Sequence, residues 1–316
     1  MIKTSKTTPI SGHSNRIIFF GNERLATGTS TDCPLLSSLI EAGYDIAAVV
    51  TNNSNTTGRK KRQLEISELA KKHAIPVLMP AQPLDIKEEL TQLDATIGVL
   101  AAYGRIVPQA MIDIFPLGII NVHPSLLPLH RGSTPIESVI LNGGTKTGVS
   151  IMALTKQMDA GPVYAQSEII LTGKETKQEL ADTASEIGAR MIVELLPDIL
   201  NGTVVALPQD ESRATYDSLI SKSDAIIDWT KPAAQIEREI RAYANWPKSR
   251  TQLLGKDVII HKVSVIAKTK VTPGETEVTK DSLMVDCAQN TLQIDVIQPA
   301  NKSPMATAAF LNGLTY

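Results

Sequence analysis

Two cysteines, Cys33 and Cys287, are all that the 316 residues contain, and they lie far apart without the spacing of a metal site. That scarcity excludes a disulfide scaffold and a cysteine-based zinc site, and it fits a reducing compartment. No apolar run approaches the about 18 residues that a membrane helix needs, so no membrane partner is expected. Net charge is nearly absent as well, at −2. A polyanion contact would therefore have to rest on a local patch, not on a global field. No internal repeat is evident. Acids are missing from Met1 to Asn15, a feature shared with organelle transit peptides. The stretch is short and has no arginine before Arg16, so a disordered extension over 1–15 and a cytoplasmic, bacterial-type location are expected, with an organelle as the alternative.

What is present is an ordinary balance of 42% hydrophobic and 20% charged residues, long enough for two domains. Arg16 to Gly21 reads as a buried strand closed by glycine. Gly21 and Gly28 do not make a G-x-G-x-x-G turn, which disfavours a dinucleotide. Helices are expected over Cys33–Ala42, Gln63–His73, Pro83–Leu93 and Ser133–Leu141. Strands are expected at Asp45–Val50, Val77–Met79, Ala95–Ala102 and Gly118–Val122. Val149–Leu154 and Val163–Ile170 read as an antiparallel pair, and Thr176–Leu200 as a long amphipathic helix with Leu180, Ala184, Ile187, Met191 and Leu195 at helical spacing. This alternation predicts an α/β fold, a mainly parallel sheet covered on both faces. A polar, turn-like stretch at 202–214 is the expected linker. After it, one helix (Pro232–Tyr243) and short strands at Thr251–Leu254, Val258–Val265, Leu283–Asp286 and Leu292–Val296 predict a small, open β-barrel over 215–316.

Chemistry gathers between Gly118 and Pro135. Asn121 and His123 lie two apart on a strand, so they share a face, and they lie at its carboxyl end, where open α/β sheets bind ligands. Asp159 follows in Gln157-Met-Asp-Ala-Gly161. Each has a plainer reading: a lone histidine is often structural, and Asp-Ala-Gly is ordinary turn chemistry. Zinc is disfavoured, since amides bind it poorly and a third strong ligand is missing. The other dense feature is basic: Arg59, Lys60, Lys61 and Arg62 after a polar loop, with Lys71 and Lys72 beyond. Cations at a helix start oppose its dipole, and a phosphate would relieve them. A solvated helix start is the competing explanation.

Asn121-Val-His123, Ser125-Leu-Leu-Pro128, Arg131-Gly132, Pro135 and Met158-Asp-Ala-Gly161 together resemble the folate-dependent formyltransferase family. The resemblance extends through Ala101-Ala-Tyr-Gly104, Pro108, Ile227-Asp-Trp229, Ile240-Arg-Ala-Tyr243, Trp246-Pro247 and Gln298-Pro-Ala300 to Lys302 and Met305. The chain departs from the family after its first strand, with Gly21-Asn-Glu-Arg-Leu25, and in the loop Thr51 to Thr57. The resemblance implies a catalytic domain over 16–201 and transfer of a formyl group from 10-formyltetrahydrofolate to the α-amine of methionine on initiator tRNA. It implies Asn121, His123 and Asp159 as catalytic residues, with no metal. The folate would lie against Tyr103, Gly104 and Ile106 and against Ser125, Leu126, Leu127 and Pro128. The tRNA would meet Arg59, Lys60, Lys61 and Arg62 and, in the second domain, Arg241, Lys248 and Arg250. A monomer is expected. Other acceptors, a sugar amine or water, and a degenerate RNA-binding module are the competing readings.

Overall fold

The computed structural model describes residues 14–52 and 64–314. Contacts group them into two compact units: those within Met1–Pro135, Lys146–Ile170 and Ala181–Asp217, and those within Ile136–Thr145, Leu171–Leu180 and Ser218–Tyr316. In chain order the first elements are β1 (Arg16–Gly21), α1 (Pro34–Glu41), β2 (Asp45–Val50), α2 (Glu65–Lys72), β3 (Val77–Leu78), a 3-10 turn (Pro83–Ile86) running into α3 (Lys87–Gln92), and β4 (Ile97–Ala101). Then come α4 (Gln109–Ile112), β5 (Ile119–His123), α5 (Pro135–Leu141), β6 (Lys146–Ala153), β7 (Val163–Ile170) and α6 (Lys177–Leu200).

The strands form one seven-stranded sheet in the order β3-β2-β1-β4-β5-β6-β7. From β3 to β5 every pairing is parallel, whereas β5–β6 and β6–β7 are antiparallel. The expected mainly parallel, doubly wound class is therefore the one observed. Apolar residues without alternation make β1, β4 and β5 strands buried on both faces, as parallel sheets require. The sheet order reverses between β1 and β4, and at that crevice Gly21 pairs with Ala101. A Cβ on Gly21 would lie 1.8 Å from the Ala101 carbonyl oxygen, so only glycine closes the strand there.

The long helix α6 buries a different stripe from the one expected. Leu180 and Ala184 are inward, but Ile187, Met191 and Leu195 are half-buried, and Ala181, Gly188, Ala189, Ile192, Leu196 and Ile199 take the core face. The cause is close approach: a Cβ on Gly188 would meet Val122 Cγ1 at 2.7 Å. Small residues set the helix down on β5, between the two positions that carry Asn121 and His123, and the larger apolar side chains are displaced to its flanks. In α2, Ile66 and Ala70 are buried while Leu69 is half-buried.

The second unit carries α7 (Ala233–Ala242), β8 (Arg250–Leu253), β9 (Lys256–Ile266), β10 (Thr276–Val278), β11 (Leu283–Asp286), β12 (Thr291–Pro299), β13 (Met305–Ala306) and α8 (Thr307–Asn312). Its strands run β10-β11-β12-β9-β8, all antiparallel, with β13 added to β12. This open antiparallel sheet is the small barrel-like domain expected. Ile236 and Ile240 of α7 and Phe310 and Leu311 of α8 share one core with Ile260, Leu283, Val285, Leu292 and Ile294. Three short elements, β10, β13 and α8, were not anticipated from the sequence. Each is two to six residues long, too short for a hydrophobic period to show.

Candidate active site

Strand β5 delivers Asn121 and His123 to the carboxyl end of the sheet, in register with Met152 and Ser150 of β6. Both are buried, Asn121 at 6% and His123 at 4% exposure. Among the described residues no hydrogen bond to the Asn121 side chain is found, so its amide is available as a donor. His123 Nε2 lies 3.0 Å from the His130 carbonyl oxygen. A carbonyl only accepts, so Nε2 carries the hydrogen and Nδ1 is the nitrogen turned to the rest of the site. Nδ1 faces Asp159 Oδ2 at 3.8 Å, beyond hydrogen-bond range but within reach of a charge.

Asp159 lies on the turn between β6 and β7 at φ 49, an unusual backbone for a non-glycine residue. Its Oδ2 accepts the Gly132 N–H at 2.8 Å. Gly132 has φ 113, and a Cβ there would press on the Asp217 carbonyl oxygen at 3.1 Å. The Arg-Gly pair of the sequence motif is thus explained: the glycine brings a bare N–H to the carboxylate. Gly161 ends the turn where a Cβ would overlap the Ala153 carbonyl oxygen at 1.8 Å.

The loop after β5 is self-bonded. Ser125 Oγ donates to Leu129 O at 2.7 Å, so this hydroxyl is used within the loop. Ser150 Oγ donates to Ser125 O at 2.6 Å and accepts the Leu127 N–H at 3.1 Å. Gln166 Nε2 holds both Leu127 O and Ser150 Oγ at 2.8 Å. Ser150 and Gln166 were missed in the sequence, although a serine inside the apolar Val149–Met152 run was the signal. The Leu127–Pro128 peptide is cis, and Leu127 is buried. Leu126 packs over β6: a Cβ on Gly148 would meet its Cδ2 at 2.5 Å.

Across the crevice, the Tyr103 ring is in the core, edge-on to Phe20, so Tyr103 presents main chain rather than its ring. Its carbonyl accepts from Asn52 Nδ2, and Gly104 continues at φ 71 with no side chain. Ile106 is 86% exposed. The bare main chain at Gly104, the Leu127 wall and the Asn52 Oδ1 atom, buried without a partner among the described residues, suit a flat heterocycle with polar edges.

Arg59, Lys60, Lys61 and Arg62 lie outside the described residues. In the second unit, Arg241 bonds Glu237 at 2.6 and 2.9 Å and the Glu175 carbonyl at 2.8 Å. Lys248 is half-buried at φ 72; Arg250 is exposed and donates to Pro247 O at 3.1 Å.

An amide donor, a directed imidazole and a fixed carboxylate around one strand end are a set for acyl transfer to a nucleophile. The comparisons give the family. A formyl transferase pattern matches residues 16–196 and a formyl transferase C-terminal domain pattern matches 219–315. The chain is 39% identical over 308 residues to the methionyl-tRNA formyltransferase of Chloroflexus aggregans, covering 95% of this chain and 97% of that one. It belongs to the formyl transferase family, among the methionyl-tRNA formyltransferases. Its relative of that name in Geobacter sulfurreducens is 34% identical, with 94% of this chain and 93% of that one covered. Among solved structures, the N-formyltransferase of Helicobacter canadensis, in complex with folinic acid and dTDP-3-aminofucose, matches with a TM-score of 0.67 at 19% identity, over 89% of this chain and 98% of that one. HypX of Aquifex aeolicus with tetrahydrofolic acid gives 0.66 at 16%, over 95% of this chain and 47% of that one. At such identities these two speak for the fold. The chain is an enzyme of formyl transfer, and among its described residues no helix is long and apolar enough to cross a membrane.

Proposed function

We propose that this enzyme transfers the formyl group of 10-formyltetrahydrofolate to the α-amine of methionine on initiator tRNA, by direct attack of that amine and with Asn121, His123 and Asp159 as its catalytic residues. The observation that carries the reading is His123 facing Asp159 at 3.8 Å on the strand that also carries Asn121, whose amide has no hydrogen bond among the described residues. The relatives at 34–39% identity support the acceptor.

In the reaction the amine nitrogen bonds to the formyl carbon and the carbon–N10 bond of the folate breaks. Asn121 donates its free amide hydrogen to the formyl oxygen as charge builds there. Such a preorganised donor is worth about 10²–10³ in rate. His123 stands on the same face, its ring fixed through Nε2–H, and presents Nδ1. Asp159, its Oδ2 tied to Gly132, supplies negative charge toward the ring, and its second oxygen takes the proton that the amine sheds. Leaving N10 takes up a proton in turn, so the products are the formamide and tetrahydrofolate. Residues 103–106 and 125–128 hold the folate, the first through main chain and the second through the apolar Leu126–Leu127 wall.

The acceptor stem is met by Arg59, Lys60, Lys61 and Arg62 and by the second domain. There Arg250 and Lys248 have fewer commitments than Arg241. The protein acts as a cytoplasmic monomer, with 202–214 joining the domains at 16–201 and 215–316. The test is an acceptor screen with formyl donor: charged initiator tRNA, charged elongator tRNA, amino sugars and water. Formylation confined to charged initiator tRNA is expected. Equal or faster transfer to an amino sugar contradicts the proposed acceptor.

A further inference from the structure

Residues 207–217 lie between the two family-matched segments, yet they run along the site. Leu207 exchanges two backbone hydrogen bonds with Val163, just past the Asp159 turn. Thr215 Oγ1 accepts the His130 N–H at 2.7 Å, and the Arg131 N–H donates to the Thr215 carbonyl while the Asp217 N–H donates to the Arg131 carbonyl. Asp217 also takes His130 Nδ1 at 3.1 Å. His130 O, in turn, is the group that orients His123.

The tightest part is the side chain of Gln209. Its Nε2 donates to Asp159 O at 2.8 Å and to Gly161 O at 2.7 Å. Its Oε1 accepts from Arg131 Nε at 3.1 Å and Nη2 at 2.8 Å. Each end of the amide meets only its complement, so the orientation of the amide is determined. Arg131 is fully buried and is itself held by Glu211 at 2.6 and 2.9 Å and by the Tyr216 hydroxyl at 2.8 Å, with its guanidinium over the Tyr216 ring. Burying a guanidinium is costly unless its donors are met, and here five hydrogen bonds spend them on one glutamine, one glutamate and one tyrosine. The result is a rigid strut whose far end clamps both carbonyls that flank the left-handed Asp159 turn.

We infer that residues 207–217 are a positioning strap for the active site, with Gln209, set by Arg131, as the residue that holds Asp159 in its working backbone conformation. This rests on the catalytic reading of Asp159 given above. Gln209 touches no reacting atom; it is a positioning residue. Without it the turn can relax from φ 49, and the carboxylate leaves Gly132 and His123. Misplacement of that order slows chemistry without weakening the binding of either substrate.

The experiment measures steady-state formylation of charged initiator tRNA with Gln209→Ala, Gln209→Glu, Asp159→Asn and the double variant Gln209→Ala/Asp159→Asn. The glutamate has the right shape but cannot donate to carbonyls. Both Gln209 variants are expected to lose about ten-fold or more in kcat with KM for both substrates within about two-fold, and to remain folded by thermal melting. The double variant is expected to be no slower than Asp159→Asn alone, because Gln209 acts only through Asp159. Parent-like kcat in Gln209→Glu, or full additivity in the double variant, overturns the strap while leaving the catalytic set standing. Parent-like turnover in Asp159→Asn overturns the catalytic reading and the strap together.

Discussion

Strand β5 buries all five of its residues, Asn121 and His123 included, whereas β9 in the second unit exposes its ends and alternates between them. The contrast extends to charge. At the β5 end the three candidate groups are aimed and only partly committed: a buried amide without a hydrogen bond, a buried ring tied at a single nitrogen, and a half-buried carboxylate tied at a single oxygen. In the second unit several charges are paired locally. Arg241 pairs with Glu237, Lys231 with Glu239, and Lys268 with Asp286. A catalytic site keeps a few desolvated groups uncommitted, while a scaffold neutralises its ions locally. That difference decides where single substitutions should act on chemistry and where they should act on stability.

The largest effect is expected at β5. Asn121→Ala or His123→Ala should lower turnover by about two orders of magnitude or more, with little change in melting temperature. Near-normal turnover in either variant would remove that residue from the mechanism and blunt the contrast between the units.

Next comes the glycine that closes the turn. Gly161→Ala would place a Cβ 1.8 Å from a backbone oxygen, so the β6–β7 turn must move and Asp159 with it. The expected outcome is a loss of turnover of about ten-fold or more together with a lowered melting temperature. Unchanged kinetics would show that the position of the turn is not what Asp159 depends on.

The same division governs what the sequence displays. Long buried strands announce themselves as apolar runs, so β1, β2, β4 and β5 were visible, and Asn121 with His123 stood out as polar residues at the end of such a run. Gln209 and Arg131 were not linked in sequence, because 78 positions separate them and nothing local marks a contact across that distance. The α6 stripe was displaced because Gly188, which contributes nothing to a hydrophobic pattern, decides the packing. The partners of Arg241 were likewise hidden: a cation reads the same in a sequence whether it is free or already neutralised. The folate expectation for Tyr103 was drawn from a motif that does not reveal that its ring is in the core.

A smaller effect sharpens the contrast through pH. Glu23 is fully buried and accepts the N–H groups of Leu35 and Leu36 at the start of α1. Burial pushes its carboxyl up from 4.5 to about 7, against the pull of those two hydrogen bonds. A carboxyl raised in the folded state keeps its proton there while the unfolded chain loses it. Its contribution is therefore fully present below pH 4.5 and is lost as pH rises through about 7. The span corresponds to about 3 kcal/mol. Relative to Glu23→Gln, the parent should lose denaturant stability by that order between pH 4.5 and 7. Parallel stability profiles for the two proteins would contradict it.

The smallest effect concerns RNA. Arg250→Ala should weaken use of charged tRNA and reduce the salt slope by about one counterion. Arg241→Ala should leave the slope unchanged and lower the melting temperature slightly, since its donors already have partners. A reversed outcome would mean that the ion pairs of the second unit open on the substrate.

In the proposed mechanism an available amide, an oriented imidazole and a strapped carboxylate at one strand end move a formyl group from folate to the amine of charged initiator tRNA. Its most direct measurement is single-turnover formylation of methionyl initiator tRNA at saturating 10-formyltetrahydrofolate, comparing the parent with Asn121→Ala. Rapid product is expected in the parent and a rate lower by about 10²-fold or more in the variant, with tRNA binding retained. Equal single-turnover rates would contradict it.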